Sequence, residues 1–394
     1  MLIGLTGKPS AGKSTFFKAC TLAEVTIANY PFTTLKSQEG VGFITVKCAD
    51  EEFNTKCNPK FGYCINHLRF VPIRILDVPG LIKGSHIGEG LGNQFLTDLN
   101  EADALIHIVD ISGSTNEKGE PVQPLTHDPL KDLIFLDNEL DHWYYNILKK
   151  GWDKFVKIIQ ENQNIKKALA KQLSGLKITE DIIEDAIKKL KLTHHPKDWQ
   201  QEDLFNLASL LRIQTKPMII AANKIDVQGA EYNLKKIIQR FPDKIILPCS
   251  SEAELALKEA TKHNLIEYIP GSEDFKIIAN INENQRKALQ LIRENVINKF
   301  KTTGVQDILN KAVEFLKYIP VFPVASSKLT DSSRNILPDC FLMKEDNTSL
   351  DLAYRIHEDI GKNFIKAIDL KTKRILGKDH KLKYGDVIEI VTAK

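Results

Sequence analysis

The sequence predicts an α/β protein in which a mostly parallel sheet is covered by helices on both faces, interrupted by a helical insertion and followed by a small mixed α+β domain. Three observations carry this. Continuous apolar runs closed by turn or helix signals read as strands at Leu2–Thr6, Val71–Leu76, Ala104–Val109, Pro217–Ala222 and Lys244–Pro248, the pattern of strands buried on both faces. Between the third and fourth runs, from about Asp132 to Leu211, apolar residues such as Phe155, Ile158, Ile159, Leu169 and Leu173 fall at helical spacing. The stretches "ENQRKALQLIRENVINKF" and "VQDILNKAVEFLKY" read as further helices until "IPVFPV" stops them. Pro320 and Pro323 mark a boundary there, and the last 75 or so residues read as short strands around one helix, Leu350–Ile360. The expected domains are 1–138 with 210–318, the insertion 139–209, and 319–394.

At 394 residues the chain is too long for one ordinary core. A net charge of +3 argues neither for nor against a nucleic-acid partner. No apolar run approaches the roughly 20 residues of a membrane helix, and "MLIGLTGKPSAGK" lacks a basic leader, so a cytoplasmic protein without a membrane partner is expected. The six cysteines lack CxxC spacing and read as free thiols, although Cys48, Cys57 and Cys64 around "CNPKFGYC" form a possible metal cluster.

"GKPSAGKS" fits G-x-x-x-x-G-K-[ST] at Gly7, Gly12, Lys13 and Ser14, between a predicted strand and a predicted helix. Backbone N–H groups from Gly7, Lys8, Pro9, Ser10, Ala11, Gly12, Lys13, Ser14 and Thr15 are the expected phosphate cradle, proline contributing position only. Lys13 neutralises the β and γ phosphates, and the Ser14 hydroxyl ligates Mg²⁺. The dipole of the helix that starts here adds to the attraction.

Such a loop alone does not separate a kinase, an ATPase motor and a GTP switch. "RILDVPG" places Asp77 to hold Mg²⁺ through water and Gly80 to meet the γ-phosphate. "IIAANKID" then sets Asn223, Lys224 and Asp226 at the end of another buried strand. A carboxylate there accepts two N–H bonds from guanine, whose pattern adenine reverses. Ser250 and Ser251 in "LPCSS" follow a strand and are candidates to present a backbone N–H to the base. In "NYPFTTL", Thr34, with Thr33 second, is the candidate to close onto Mg²⁺ and the γ-phosphate.

In that order, "GKPSAGKST", "NYPFTTL", "DVPGLIKGSHIGEGLGNQFL" and "NKID" resemble the Obg superfamily of GTPases. The helical insertion and the C-terminal stretch resemble its YchF branch, which includes the Obg-like ATPases, in the archaeal form. "TSLDLAYRIHEDIGKNFIKAIDLKTKRILGKDHKLKYGDVIEIV" resembles a TGS domain, a ubiquitin-like β-grasp module. The resemblance implies a P-loop NTPase with a helical, coiled-coil-like insertion, associated with ribosomes and with translation or stress regulation. The ATP-using branch carries a base-reading motif that ends in glutamate. Asp226 keeps the guanine form, so GTP and GDP are the expected ligands, with ATP as an alternative substrate.

Potassium-activated relatives place asparagine where this chain has Ser10, which argues for weak potassium dependence. Leu81 follows Gly80 where many GTPases place a water-orienting glutamine, so intrinsic hydrolysis is expected to be slow. His86 in the glycine-rich "KGSHIGEGLG" is a catalytic candidate, and His127 in "LTHDP" a weaker one. Residues 149–171 carry a local charge of +5 and residues 361–383 one of +6, which suits ribosomal RNA or a solvated lysine face equally. Trp143, Tyr144, Trp152 and Phe155 read as core. A monomer is favoured. The rival readings are an ATP-preferring enzyme and a nucleotide-gated scaffold with negligible turnover, which Leu81 keeps open.

Overall fold

The computed structural model describes residues 1–22, 39–78, 99–158, 165–193, 195–325, 328–331 and 333–393. The chain divides into two compact units, residues 1–15 with 76–251 and residues 16–75 with 252–394.

In the first unit, β1 (Leu2–Thr6), β5 (Ala104–Asp110), β6 (Met218–Asn223) and β7 (Ile245–Pro248) run parallel, β5 between β1 and β6 and β7 outside β6. Every residue of "LIGLT" and of "ALIHIVD" is buried, as a parallel sheet covered on both faces demands. The parallel register brings the ends of β5 and β6 level, with Asp110 opposite Asn223. Thus four of the expected strands lie within a residue or two of their sequence positions, and they share one edge where their C-terminal ends gather.

The helices between β5 and β6 form their own core. Leu133, Leu136, Leu140, Tyr144 and Leu148 line one face of the Leu130–Lys149 helix at steps of three and four residues. Tyr144 and Leu148 meet Leu204, Leu207, Ala208 and Leu211 of the Gln201–Thr215 helix, while Leu136 and Leu140 pack against Leu2, Val78 and Leu105 on the sheet side. Arg212 ties the pair at 2.7 Å from Asp141 and 3.2 Å from Asp137. Trp152 stacks on Phe155 and on Trp199 at 5.2 and 5.7 Å between ring centroids, and Tyr144 is buried. These aromatics are core, as expected. The Leu130–Lys149 helix runs unbroken through residue 139.

The second unit contains β2 (Glu39–Lys47), β3 (Tyr63–Ile65) and β4 (Leu68–Asp77), of which the last residues, Leu76 and Asp77, belong to the first unit. β3 and β4 form an antiparallel hairpin. Its two-residue turn, Asn66–His67, has φ of 49° and 62°, the left-handed pair that matches strand twist. The Val305–Phe315 helix is fixed to β2 by Gln306, which donates to the Phe43 carbonyl at 2.9 Å, and by Asn310 and Thr45, which exchange two bonds.

β8 (Ile266–Glu267) and β9 (Lys276–Ile277) form a separate antiparallel pair, and the C-terminal sheet has the order β11-β10-β14-β12-β13, from β10 (Tyr318–Val324), β11 (Phe341–Lys344), β12 (Phe364–Asp369), β13 (Arg374–Leu376) and β14 (Val387–Thr392). β10 and β14 are parallel and the other neighbours antiparallel. Here the structure differs from the sequence reading in two places. Pro320 and Pro323 sit inside β10 rather than in a break, where the Phe322 N–H, donating to Asp386 at 2.8 Å, and the Pro320 carbonyl, accepting from Gly385 at 2.8 Å, supply the pairing. The helix expected over Leu350–Ile360 splits at His357, whose extended backbone ends Ser349–Ile356 and whose Nδ1 accepts the Asp359 N–H that opens Glu358–Lys362.

Candidate functional site

The phosphate-binding turn joins β1 to the Lys13–Thr21 helix. Its glycines are dictated by close approach. A Cβ on Gly7 would lie 2.5 Å from the Ile108 carbonyl oxygen, and one on Gly12, at φ +95°, would lie 2.2 Å from Asn223 Nδ2. Between them Ser10 holds a left-handed φ of 61°, a region where asparagine is commoner than serine. Ser14 is exposed in the first turn of the helix, the position of its unpaired N–H groups and positive dipole end. Lys13 Nζ pairs with Asp77 Oδ1 at the end of β4. The Val78 N–H donates to the Leu5 carbonyl at 3.2 Å, which anchors the chain just past Asp77 against β1.

Lys8 departs from the expected cradle in its side chain. Its buried ammonium donates to the Thr115 carbonyl at 2.7 Å and pairs with Asp132 at 2.8 Å. Asp132 also holds His127 Nε2 at 2.8 Å in a buried pair. The weak catalytic candidate His127 is therefore a structural group, and only the backbone of Lys8 is left for phosphate. Gly119 brings the same loop against Pro9, where a Cβ would meet the Pro9 Cβ and carbonyl oxygen at 2.7 Å.

At the end of β6, Asn223 binds two loops together. Its Nδ2 donates to the Ala11 carbonyl at 2.9 Å, and its Oδ1 accepts the Ser251 N–H at 3.0 Å and the Ser251 hydroxyl at 2.8 Å. Ser251, expected to offer its N–H to a base, is thus committed to Asn223. Ser250 beside it is buried. Lys224, at a left-handed φ of 63°, sends its ammonium to Asp110 Oδ2 at 2.9 Å and to the Ser114 hydroxyl at 3.3 Å. Asp226 is half-buried and makes no hydrogen bond or ion pair among the described residues.

Asp110 is the residue that the sequence reading missed. Its carboxylate collects Ser112 Oγ at 2.5 Å, Thr115 Oγ1 at 2.7 Å, Ser114 Oγ at 3.0 Å and Lys224. Burial pushes its pKa up, but the bonds from Ser112, Lys224 and Thr115 outweigh burial and hold it below the ordinary carboxylate value. The available signal was an aspartate closing a wholly apolar run, in register with Asn223. Thr33, Thr34, Gly80, Leu81 and His86 lie outside the described residues.

A helix N-terminus under a glycine turn, with a lysine and an acid from the neighbouring strand on one side and a base-side loop on the other, is the layout of a P-loop nucleoside triphosphatase. Known proteins narrow the class. Residues 2–139 match the family described as 50S ribosome-binding GTPase. Residues 221–326 match the G4 motif-containing domain of Obg-like GTPases of the YGR210-like type, and residues 333–392 match the TGS domain. An uncharacterised GTP-binding protein of Methanocaldococcus jannaschii is 46% identical over 396 residues, covering 100% of this chain and 99% of its own. The protein named ribosome-binding ATPase YchF of Buchnera aphidicola is 26% identical over 382 residues, covering 93% and 88%. Among solved structures, a GTP-binding protein of Pyrococcus horikoshii superimposes with a TM-score of 0.78 at 38% identity over the whole of both chains. The Schizosaccharomyces pombe YchF GTPase shares the fold, with a TM-score of 0.61 at 20% identity over 99% of this chain and 97% of its own. The chain belongs to the Obg-like, YchF-type family of P-loop nucleoside triphosphatases with a C-terminal TGS domain.

Proposed function

We propose that the chain is a GTP-binding and GTP-hydrolysing switch that acts on the ribosome. The observation that carries this reading is Asp226, a half-buried carboxylate with no partner among the described residues, held at the end of β6 by neighbours that are themselves fully engaged. Guanine satisfies both of its oxygens through N1–H and the exocyclic amine, and adenine leaves them unpaired. Lys13 transfers its ammonium from Asp77 to the β and γ phosphates. The Asn223 bond to Ala11 keeps the turn's carbonyl from facing those phosphates.

The residues present fit a Mg²⁺ ion, since Ser14 exposes its hydroxyl in the first helical turn and Asp77 stands beside Lys13. Such an ion, held by Ser14 and Asp77 with Thr34 closing over it, would spread the triphosphate charge. Gly80 is assigned to the γ-phosphate and His86 to the approach of water. Leu81 offers water no hydrogen bond, so turnover is slow without a partner.

The Buchnera relative's name supports the ribosome as partner, as does the basic 361–383 stretch of the C-terminal domain, in which Lys373, Arg374, Lys378, Lys381 and Lys383 are all exposed. Such a cluster gains affinity by releasing counterions from phosphate backbones. The test is sedimentation with ribosomes in a non-hydrolysable GTP analogue against GDP. Preferential pelleting with the analogue is expected, and equal pelleting would contradict the switch.

A further inference from the structure

Between Thr34 and Asp77 in the sequence, the stretch from Cys48 to Cys64 gathers four potential ligands. Cys48 directly succeeds β2, Asp50 and Cys57 lie in the turns beyond it, and Cys64 is on β3. The three sulfurs and one carboxylate oxygen of Asp50 all lie within 4.8 Å of one another. Three features indicate what they are for.

The first is spacing. Cys48 Sγ and Cys57 Sγ are 3.6 Å apart, far from the roughly 2.05 Å of a disulfide. A tetrahedron with metal–sulfur arms of about 2.3 Å has edges of about 3.8 Å.

The second is orientation. Asp50 is buried, its Oδ1 held by His67 Nδ1 at 2.9 Å and its Oδ2 by the Cys57 N–H at 3.2 Å. The Cys48 N–H donates to the His67 carbonyl at 2.8 Å, and the Thr55 N–H to the Asp50 carbonyl at 3.0 Å. Outer bonds of this kind fix the direction of a metal-binding carboxylate.

The third is charge. Arg69, opposite Cys64 in the hairpin and only 1% exposed, forms no ion pair among the described residues. Its terminal nitrogens bind the carbonyls of Leu337 and Pro338 at 3.0 and 2.8 Å, and its buried Nε has no hydrogen-bond partner. A buried guanidinium needs nearby negative charge; Asp339 supplies part of it, and Cys57 of the cluster also interacts electrostatically with Arg69, so a trithiolate–carboxylate centre around a dication, with its net negative charge, suits this position.

We propose that Cys48, Cys57, Cys64 and Asp50 bind one structural zinc ion. Thiolate-rich, tetrahedral and closed coordination selects zinc over the oxygen-seeking dications. The ion fixes the 48–64 segment as a platform for the extended segment that leads into β11 of the C-terminal sheet. On that platform the Asn58 N–H donates to the Ile336 carbonyl at 2.8 Å and the Lys60 N–H to the Pro338 carbonyl at 2.9 Å, flanking the Arg69 bonds. The zinc therefore staples the β3–β4 hairpin to the entry of the TGS domain within the second unit.

The experiment is elemental analysis of the untagged full-length chain purified without added metal or chelator, followed by Co²⁺ titration of the chelator-stripped protein. About one zinc per chain is expected, with thiolate-to-cobalt charge-transfer absorption and tetrahedral d–d bands at one equivalent of Co²⁺. Cys57→Ser and Cys64→Ser lose these bands, Cys249→Ser keeps them, and Asp50→Asn weakens Co²⁺ binding at least about ten-fold. Because a serine variant can fail by misfolding, the wild-type titration and a thiol count under denaturing conditions stand independently. A stripped chain that takes up no Co²⁺ into thiolate coordination overturns the proposal, and so does a count of four thiols, which would mean a disulfide.

Discussion

Asn223 presses so closely on Gly12 that a single added carbon on the glycine would fall 2.2 Å from its Nδ2. The asparagine thereby connects β6 to the phosphate turn and, through Ser251, to the loop after β7. Gly12→Ala must break either the turn or this bond. Asn223→Ala leaves the Ala11 carbonyl and the Ser251 N–H without their buried partner, at a cost of about 1–3 kcal/mol each when uncompensated. Both variants are expected to lose GDP affinity at least about ten-fold by calorimetry while still melting cooperatively. Unchanged affinity would mean that the turn does not need the link.

Lys8, Asp132 and His127 form a buried charged group beneath the phosphate turn. Lys8→Met strands the Asp132 carboxylate and should cost about 3–5 kcal/mol of stability. Lys8→Met combined with Asp132→Leu removes both charges and should recover much of that loss. A denaturant titration of the two variants checks the order, and equal stabilities would refute the coupling.

Acid should weaken this fold well before its carboxylates titrate. His107, buried on β5, has no partner at Nδ1 among the described residues, and burial holds its pKa down at about 3. The unfolded chain takes up this proton near pH 6.5. Because the folded value is depressed, the unfolded state binds more protons between about pH 6.5 and 3, and stability falls with pH by up to about 1.4 kcal/mol per unit. Asp110, whose folded pKa is also lowered, adds a loss in the same direction at more acid pH. The denaturation midpoint measured at pH 7 and pH 5 should shift less in His107→Leu than in the wild type. An identical shift would assign the acid sensitivity elsewhere.

In the basic 361–383 stretch, charge reversal of the exposed Lys378, Lys381 and Lys383 should lower affinity for ribosomal RNA and flatten its salt dependence. Each lost phosphate contact removes about 0.7–0.9 from the slope of log affinity against log salt. Nucleotide affinity should be unchanged. A slope equal to that of the wild type would remove this stretch from the interface.

Legibility in the sequence depends on whether the signal is local. β1, β5 and β6 are readable because each is a continuous apolar run, with a motif just past β1 and at the end of β6, and the spacing of Gly12, Lys13 and Ser14 marks a phosphate turn on its own. β2 escapes notice, since "EGVGFITVK" has two glycines among its first four residues and carries no motif. The tie between Ser251 and Asn223 is hidden because it joins residues 28 positions apart through side chains. Asp110 is hidden for a similar reason, being defined by Lys224, a residue 114 positions later. The prolines of β10 mislead, because proline punctuates a chain in general but is tolerated in a strand whose neighbouring groups complete the ladder.

Guanine recognition by Asp226 is read out by the equilibrium affinity for GTP and for ATP in Mg²⁺, in the wild type and in Asp226→Asn. The wild type should prefer GTP by about two orders of magnitude or more, and Asp226→Asn should lose that preference through weaker GTP binding. Equal or tighter binding of ATP by the wild type would rule out guanine recognition by Asp226.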